Sequence, residues 1–183
     1  MTRITSGFHN DHAKYTDAEA RAVYLEWYDR DWTYKKLIVI DHTKVAGNET
    51  DFPAYLYLDA DADVNTYAQA DGDDILFTDL SGNKLSHEIE YYSSGTLHAF
   101  IKIPSLSSTV DTLIWMYYGN PTCANQENIT DVWSNGYVAV YHMNDATTST
   151  ILDSTSNDND GTKKGANEPN EVDGKSYKGQ DFD

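Results

Sequence analysis

Leu85-Ser86-His87-Glu88-Ile89-Glu90-Tyr91-Tyr92 and Leu97-His98-Ala99-Phe100-Ile101-Lys102-Ile103 alternate in polarity, with Ser93-Ser94-Gly95 between them as a turn signal. A period of two sends successive side chains to opposite faces, so each stretch reads as a half-buried antiparallel strand. Outward from this pair, Tyr34 to His42, Ala54 to Asp59, Ile75 to Thr78, Thr112 to Tyr118 and Tyr137 to Met143 share the same β-branched and aromatic character. Ala46-Gly47-Asn48, Asp71-Gly72-Asp73-Asp74, Ser81-Gly82-Asn83 and Gly119-Asn120-Pro121 punctuate them with turn residues. Ile75 to Tyr92 reads as one hairpin closed around Leu80-Ser81-Gly82-Asn83. Short strands at this spacing, with no helices between them, predict an all-β fold: an antiparallel, jelly-roll-like β-sandwich.

The two ends read differently. Thr16-Asp17-Ala18-Glu19 has the spacing of a capping box, which predicts a short N-terminal helix near 17–28. Residues 1–31 are therefore expected to form an arm, 32–143 the sandwich domain, and 144–183 a polar tail. That tail carries few apolar groups, too few to offset the backbone entropy of ordering it unaided.

Charge narrows the function classes. The 183 residues hold 13 Lys+Arg against 30 Asp+Glu, a formal net charge of −17. Nucleic-acid binding draws on cationic neutralisation of phosphates, so no nucleic-acid partner is expected. Anionic membrane surfaces are disfavoured for the same reason, and no apolar run approaches the ~20 residues of a membrane span. Aromatics at 13 % mark a chain that folds rather than an acidic disordered one. A single cysteine, Cys123, leaves no internal disulfide to expect.

Catalysis finds no motif. His87-Glu88 would need a second histidine at position 91, where Tyr stands. No Gly-x-Ser-x-Gly elbow is present, and Cys123 has no basic sequence neighbour to activate it. A protein without enzymatic activity is the expectation. Asp71 and Asp73 on one turn, and Asp158 and Asp160 in the Ser156 to Gly161 loop, are candidate calcium ligands. The loop lacks the closing bidentate Glu, Asn167 standing in its place, so calcium should bind weakly if at all, and no other cofactor is expected. Trp32, Trp115, Trp133, Tyr92 and Tyr118 are candidates for stacking on a ligand such as a sugar ring, although such rings also fill cores. Asn48-Glu49-Thr50 and Asn128-Ile129-Thr130 fit the glycosylation acceptor pattern at Asn48 and Asn128.

Trp32-Thr33-Tyr34-Lys35-Lys36, Asp51-Phe52-Pro53, Ala70 to Asp79, His87-Glu88-Ile89-Glu90 and Tyr117-Tyr118-Gly119-Asn120 stand in an order that resembles the domain-of-unknown-function family numbered 2341, over about residues 30–122. The family pattern usually has Trp where Phe100 stands. Further on, Val140-Tyr141-His142-Met143, Asp153-Ser154, Asp160-Gly161 and Gly179 to Asp183 are similar to the opening of a laminin-G/concanavalin A-like sandwich, here truncated. The resemblance implies a companion of glycan-binding and adhesive modules in surface proteins, or a component of viral structural proteins. It brings no catalytic residues. The expected role is a non-catalytic module of a cell-surface or virion protein that binds carbohydrate or a surface receptor. The alternative is a structural subunit of an extracellular filament, surface layer or viral tail, with neighbouring subunits as partners.

Overall fold

The computed structural model describes residues 27–145, 149–165 and 169–181, together with the backbone of 3–5. Most of the helix expected near 17–28 lies outside these residues, and Trp27 and Tyr28 are not helical. Eight strands build the body in chain order: β1 (Arg3–Thr5), β2 (Tyr34–Ile40), β3 (Glu49–Leu58), β4 (Leu76–Thr78), β5 (Lys84–Leu85), β6 (His87–Ser93), β7 (Thr96–Leu106) and β8 (Thr112–Tyr118). They form two four-stranded sheets, β1-β3-β7-β6 and β2-β8-β4-β5. All pairings are antiparallel except β1 with β3, which run parallel. The fold is an all-β sandwich.

Alternation fixes which residues meet between the sheets. Ala54, Leu56 and Leu58 of β3, Leu97, Ala99, Ile101 and Ile103 of β7, and Ile38 and Ile40 of β2 point inward. They meet Phe77, Leu85, Ile114, Met116 and Tyr118 from β4, β5 and β8 in one buried cluster. The intervening residues face outward, and that is where the two outer surfaces are made. On the β2-β8-β4 side, residues 27–32 fold back so that Trp32 joins Leu76, Trp115 and Tyr117 in a second cluster. The Lys35 ammonium sits among the rings of Trp27, Trp115 and Tyr117, 4.2 Å from the Trp115 centroid and 4.8 Å from that of Trp27. Burial there lowers its pKa, and the ring faces take the place of a counter-ion.

The 75–92 stretch departs from a single hairpin. β4 and β5 do pair, Phe77 opposite Leu85, but the strand leaves that sheet at Ser86 and continues as β6 in the other. Ser86 makes the corner: its carbonyl accepts from Lys102 N at 2.9 Å and its hydroxyl donates to Asp131 at 2.6 Å. Nor do residues 137–143 form the expected strand. Val140 gives its N–H to the Asp153 carboxylate and its carbonyl to Ser154 N, and Met143 adopts φ 58°, so no ladder partner is left for them. The segments beyond form two small antiparallel pairs, β9 (Thr150–Ile151) with β10 (Gly161–Thr162) and β11 (Asn170–Asp173) with β12 (Lys178–Asp181).

Two acids tie the loops to this frame. Buried Asp74 accepts from Gly119 N at 2.6 Å, Asn120 N at 3.0 Å and Gln69 N at 2.9 Å, which joins the 70–79 motif to the 117–120 motif. Asp61 caps the helix Ala62–Tyr67 by accepting from Val64 N and forms an ion pair with Lys36, both side chains nearly buried. Gly95 (φ 79°) lies against that cap, where a Cβ would run into the Asp61 carbonyl.

Candidate functional site

The outer face of β3-β7-β6 carries the most concentrated chemistry among the described residues. In the β6–β7 ladder Ile89 pairs with Ala99 but Tyr91 with His98, so Glu90 is the extra residue of a β-bulge. Alternation alone would turn Tyr91 inward; the bulge keeps Glu88, Glu90 and Tyr91 together on the outer face. The helical turn Ile129–Val132 then delivers Val132 and Trp133 onto Tyr55 and Phe100 of this face. The chain after it brings His142 and Ser154 to the same place.

Glu88 is the hub. Its Oε2 accepts from Trp133 Nε1 at 2.6 Å and lies 3.0 Å from His142 Nε2, while its Oε1 accepts from Ser154 Oγ at 2.7 Å. Three donors from three points of the later chain thus converge on one strand carboxylate. The other face of the imidazole reaches Glu90, Nδ1 lying 3.8 Å from its Oε1. The Glu90 side chain is 2 % exposed, and its second oxygen has no hydrogen-bond partner. Burial raises the Glu90 pKa, Glu88 adds to the rise and His142 opposes it. For His142, burial works against the charged form, but the hydrogen bond and charge of Glu88, then Glu90 and Asp145, outweigh it and raise the pKa above the ordinary value. The arrangement is a buried imidazole held between two carboxyl groups, which favour its charged form.

Beside it the β11–β12 hairpin leans on the sheet. Tyr177 stacks on Tyr91 with ring centroids 4.7 Å apart, and Ser176 O takes the Tyr55 hydroxyl and lies 2.8 Å from His98 Nδ1. Between Tyr55, Tyr57 and His98 on the sheet and the Asp173–Tyr177 turn opens a cleft of about 330 Å³. Its walls are aromatic, and Asp173 and Lys175, both exposed, lie on its rim.

The aromatic residues singled out in the sequence are spent elsewhere. Trp32, Trp115, Trp133 and Tyr118 are buried in packing, and Tyr92 is half-buried with its hydroxyl donated to Val64 O. Tyr118 and Tyr92 pack in and against the inter-sheet core, while Trp32 and Trp115 are covered on one outer face and Trp133 packs with Tyr55 and Phe100 on the other; the more open rings are those of the Tyr57 and Tyr177 cleft. Asp71 and Asp73 share a turn in which Asp71 accepts from Asp73 N. Asp158 and Asp160 are exposed, and Asp160 accepts from Asp153 N. That loop is organised by Asp153, which accepts from Val140 N, Thr155 N, Thr155 Oγ1 and Asn159 N. Burial would raise the Asp153 pKa, but these donors win and hold it down at about 2, so the loop is built around a carboxylate. Asn48 and Asn128 are both exposed; Asn48 Oδ1 accepts from Ser108 N and Oγ. The Glu88–His142–Glu90 cluster escaped the sequence reading. Two glutamates two apart on a strand look like a solvated face, and only the later chain makes them buried.

Residues 71–160 match the family model described as Domain of unknown function (DUF2341). The match starts later than the motif resemblance suggested and runs on through the Asp153 loop, so it contains Asp74, Glu88, Glu90, Trp133, His142 and Ser154 together. No curated protein and no solved structure matches the chain.

Proposed function

We propose, for a chain that carries this DUF2341 segment, that it is a non-catalytic sandwich module of a cell-surface or virion protein and that it binds carbohydrate in the Tyr57–Tyr177 cleft. The open, aromatic-walled cleft with a charged rim supports this reading. A pyranose ring offers apolar C–H faces to tyrosines and a hydroxyl edge to groups such as Asp173 and Lys175, so one short glycan can use both at once. The buried acid pair supports a role without catalysis, since Glu88 is fully engaged by Trp133, His142 and Ser154. A glycan array on the purified chain tests the proposal, followed by titration of any hit against Tyr57→Ala and Lys175→Ala. Both variants should weaken binding at least tenfold. An array without hits, or affinity unchanged in both variants, would remove carbohydrate from the account.

A second reading, an assembly subunit, rests on a different observation. Val138 is 74 % and Leu152 63 % exposed, with Tyr137 and Tyr141 also open, all within the irregular stretch that follows Trp133. Apolar groups gathered on one segment mark an interaction surface. Mass in solution decides it: an oligomer dissociated by Val138→Ser with Leu152→Ser would favour assembly.

A further inference from the structure

We propose that Asp41, His42 and Asp111 form a surface site for a divalent transition metal, zinc being the fitting case. The site lies at one end of the β2–β8 ladder, on the opposite sheet from the cleft, and stands independently of carbohydrate binding.

Ladder register builds it. β2 ends with Ile40 opposite Thr112, so the residues that continue outward, Asp41 and Asp111, leave the sheet side by side. His42 opens a 3-10 turn whose N-cap is Asp41, and one oxygen of that carboxylate accepts from Thr43 N and Oγ1 at 2.8 and 2.7 Å. The Asp111 carboxylate fixes the histidine twice: Oδ1 lies 3.1 Å from His42 N and 2.6 Å from His42 Nδ1. One imidazole nitrogen and one oxygen from each carboxylate lie within 4.8 Å of one another. Among the described residues this is the set of three or more such groups that meets so closely.

The donor set selects the metal. A ring nitrogen with two carboxylates suits zinc and its neighbours, whereas calcium and magnesium take oxygen ligands almost alone. Zinc at roughly 2 Å from each donor, in tetrahedral geometry, asks for donor atoms about 3.3 Å apart. The three side chains stand at the end of a sheet, Asp41 exposed and His42 and Asp111 half-buried. Three protein ligands leave the fourth position to water. The surrounding negative charge of the chain favours a dication over its competitors in solution only non-specifically, and the ring nitrogen supplies the selectivity.

Calorimetric titration of zinc chloride into the full chain, purified without a histidine tag and freed of metal by a chelator, tests this. One equivalent should bind, and calcium should not compete. His42→Ala and Asp111→Asn should each weaken binding at least tenfold. Asp41→Asn keeps the cap on Thr43 while removing the charge and should weaken it as well; Asp71→Asn should leave it unchanged. Circular dichroism and the metal-free melt of each variant establish that it is folded. No binding to the parent chain, or binding that survives both His42→Ala and Asp41→Asn, would overturn the proposal.

Discussion

His87 points inward from β6, sets its ring edge-on against Phe77 at 5.2 Å, and is fully buried. Burial pushes its pKa down to about 4, only partly opposed by the Leu85 and Ile75 carbonyls. Unfolded, the same ring titrates near 6.5, so between these values the unfolded chain holds the extra proton. Stability is therefore complete above about pH 6.5 and falls as the pH drops towards 4, by something like 3 kcal/mol from this group. Urea midpoints measured from pH 7 to pH 4.5 should show that loss, and His87→Leu should flatten it. An acid limb equally steep in the variant would place the titration elsewhere. Asp74 presents the converse case of a buried acid that the fold needs. It accepts three backbone N–H groups. Asn offers one acceptor oxygen and turns a donor towards the remaining amides, so Asp74→Asn should cost about 2–3 kcal/mol in a thermal melt.

Among the elements, the bulged strand β6 decides how the later chain is held. Glu88 receives Trp133, His142 and Ser154, and the His142 contribution depends on charge. Its pKa is raised in the folded protein, so the ion pair is fully present below about pH 6.5 and is lost as the pH rises through the folded value. At pH 9 to 10, limited proteolysis should cut within 138–162 while β2 to β8 remain intact, and Glu88→Gln should show the same cleavage already at pH 7. Equal resistance at both pH values would mean that the two carboxylates do not govern this contact. Gly95→Ala tests the next turn along, where both the positive φ and the Asp61 carbonyl oppose a side chain; a loss of about 2–4 kcal/mol is expected. The strands themselves were legible because alternation along Leu97 to Ile103 and Thr112 to Tyr118 is a local signal. The bulge at Glu90 was not, since it depends on the partner strand. Nor was the corner at Ser86, because one polar residue in an alternating run leaves the pattern unbroken. The apparent strand at 137–143 failed for a related reason: its composition favours extension, but side chains of the Asp153 loop claim its backbone groups.

On the scale of the molecule, the later chain is a covering layer. Val140 packs against the cluster of Tyr55, Phe100, Val132 and Trp133, and Tyr177 against Tyr91. A chain that ends at residue 143 should keep the inter-sheet core and a cooperative melt, but at a lower temperature, because the outer face of β3-β7-β6 is opened to water. A melt unchanged by the truncation would mean that the layer adds nothing to the fold. Sequence alone could set the cost of ordering that stretch but not its location, since the surface that receives it is assembled from strands far away in the chain. The crossing at Ser86 has one more consequence, for how the sandwich comes apart. β5 ends one sheet and β6 ends the other, and a single residue joins them. Along that side the two leaves are stitched by continuous backbone, like pages bound at a spine. Neither can peel away and leave its partner standing, so deuterium uptake in β7 and β8 should rise together as denaturant is added, both strands reporting the same opening.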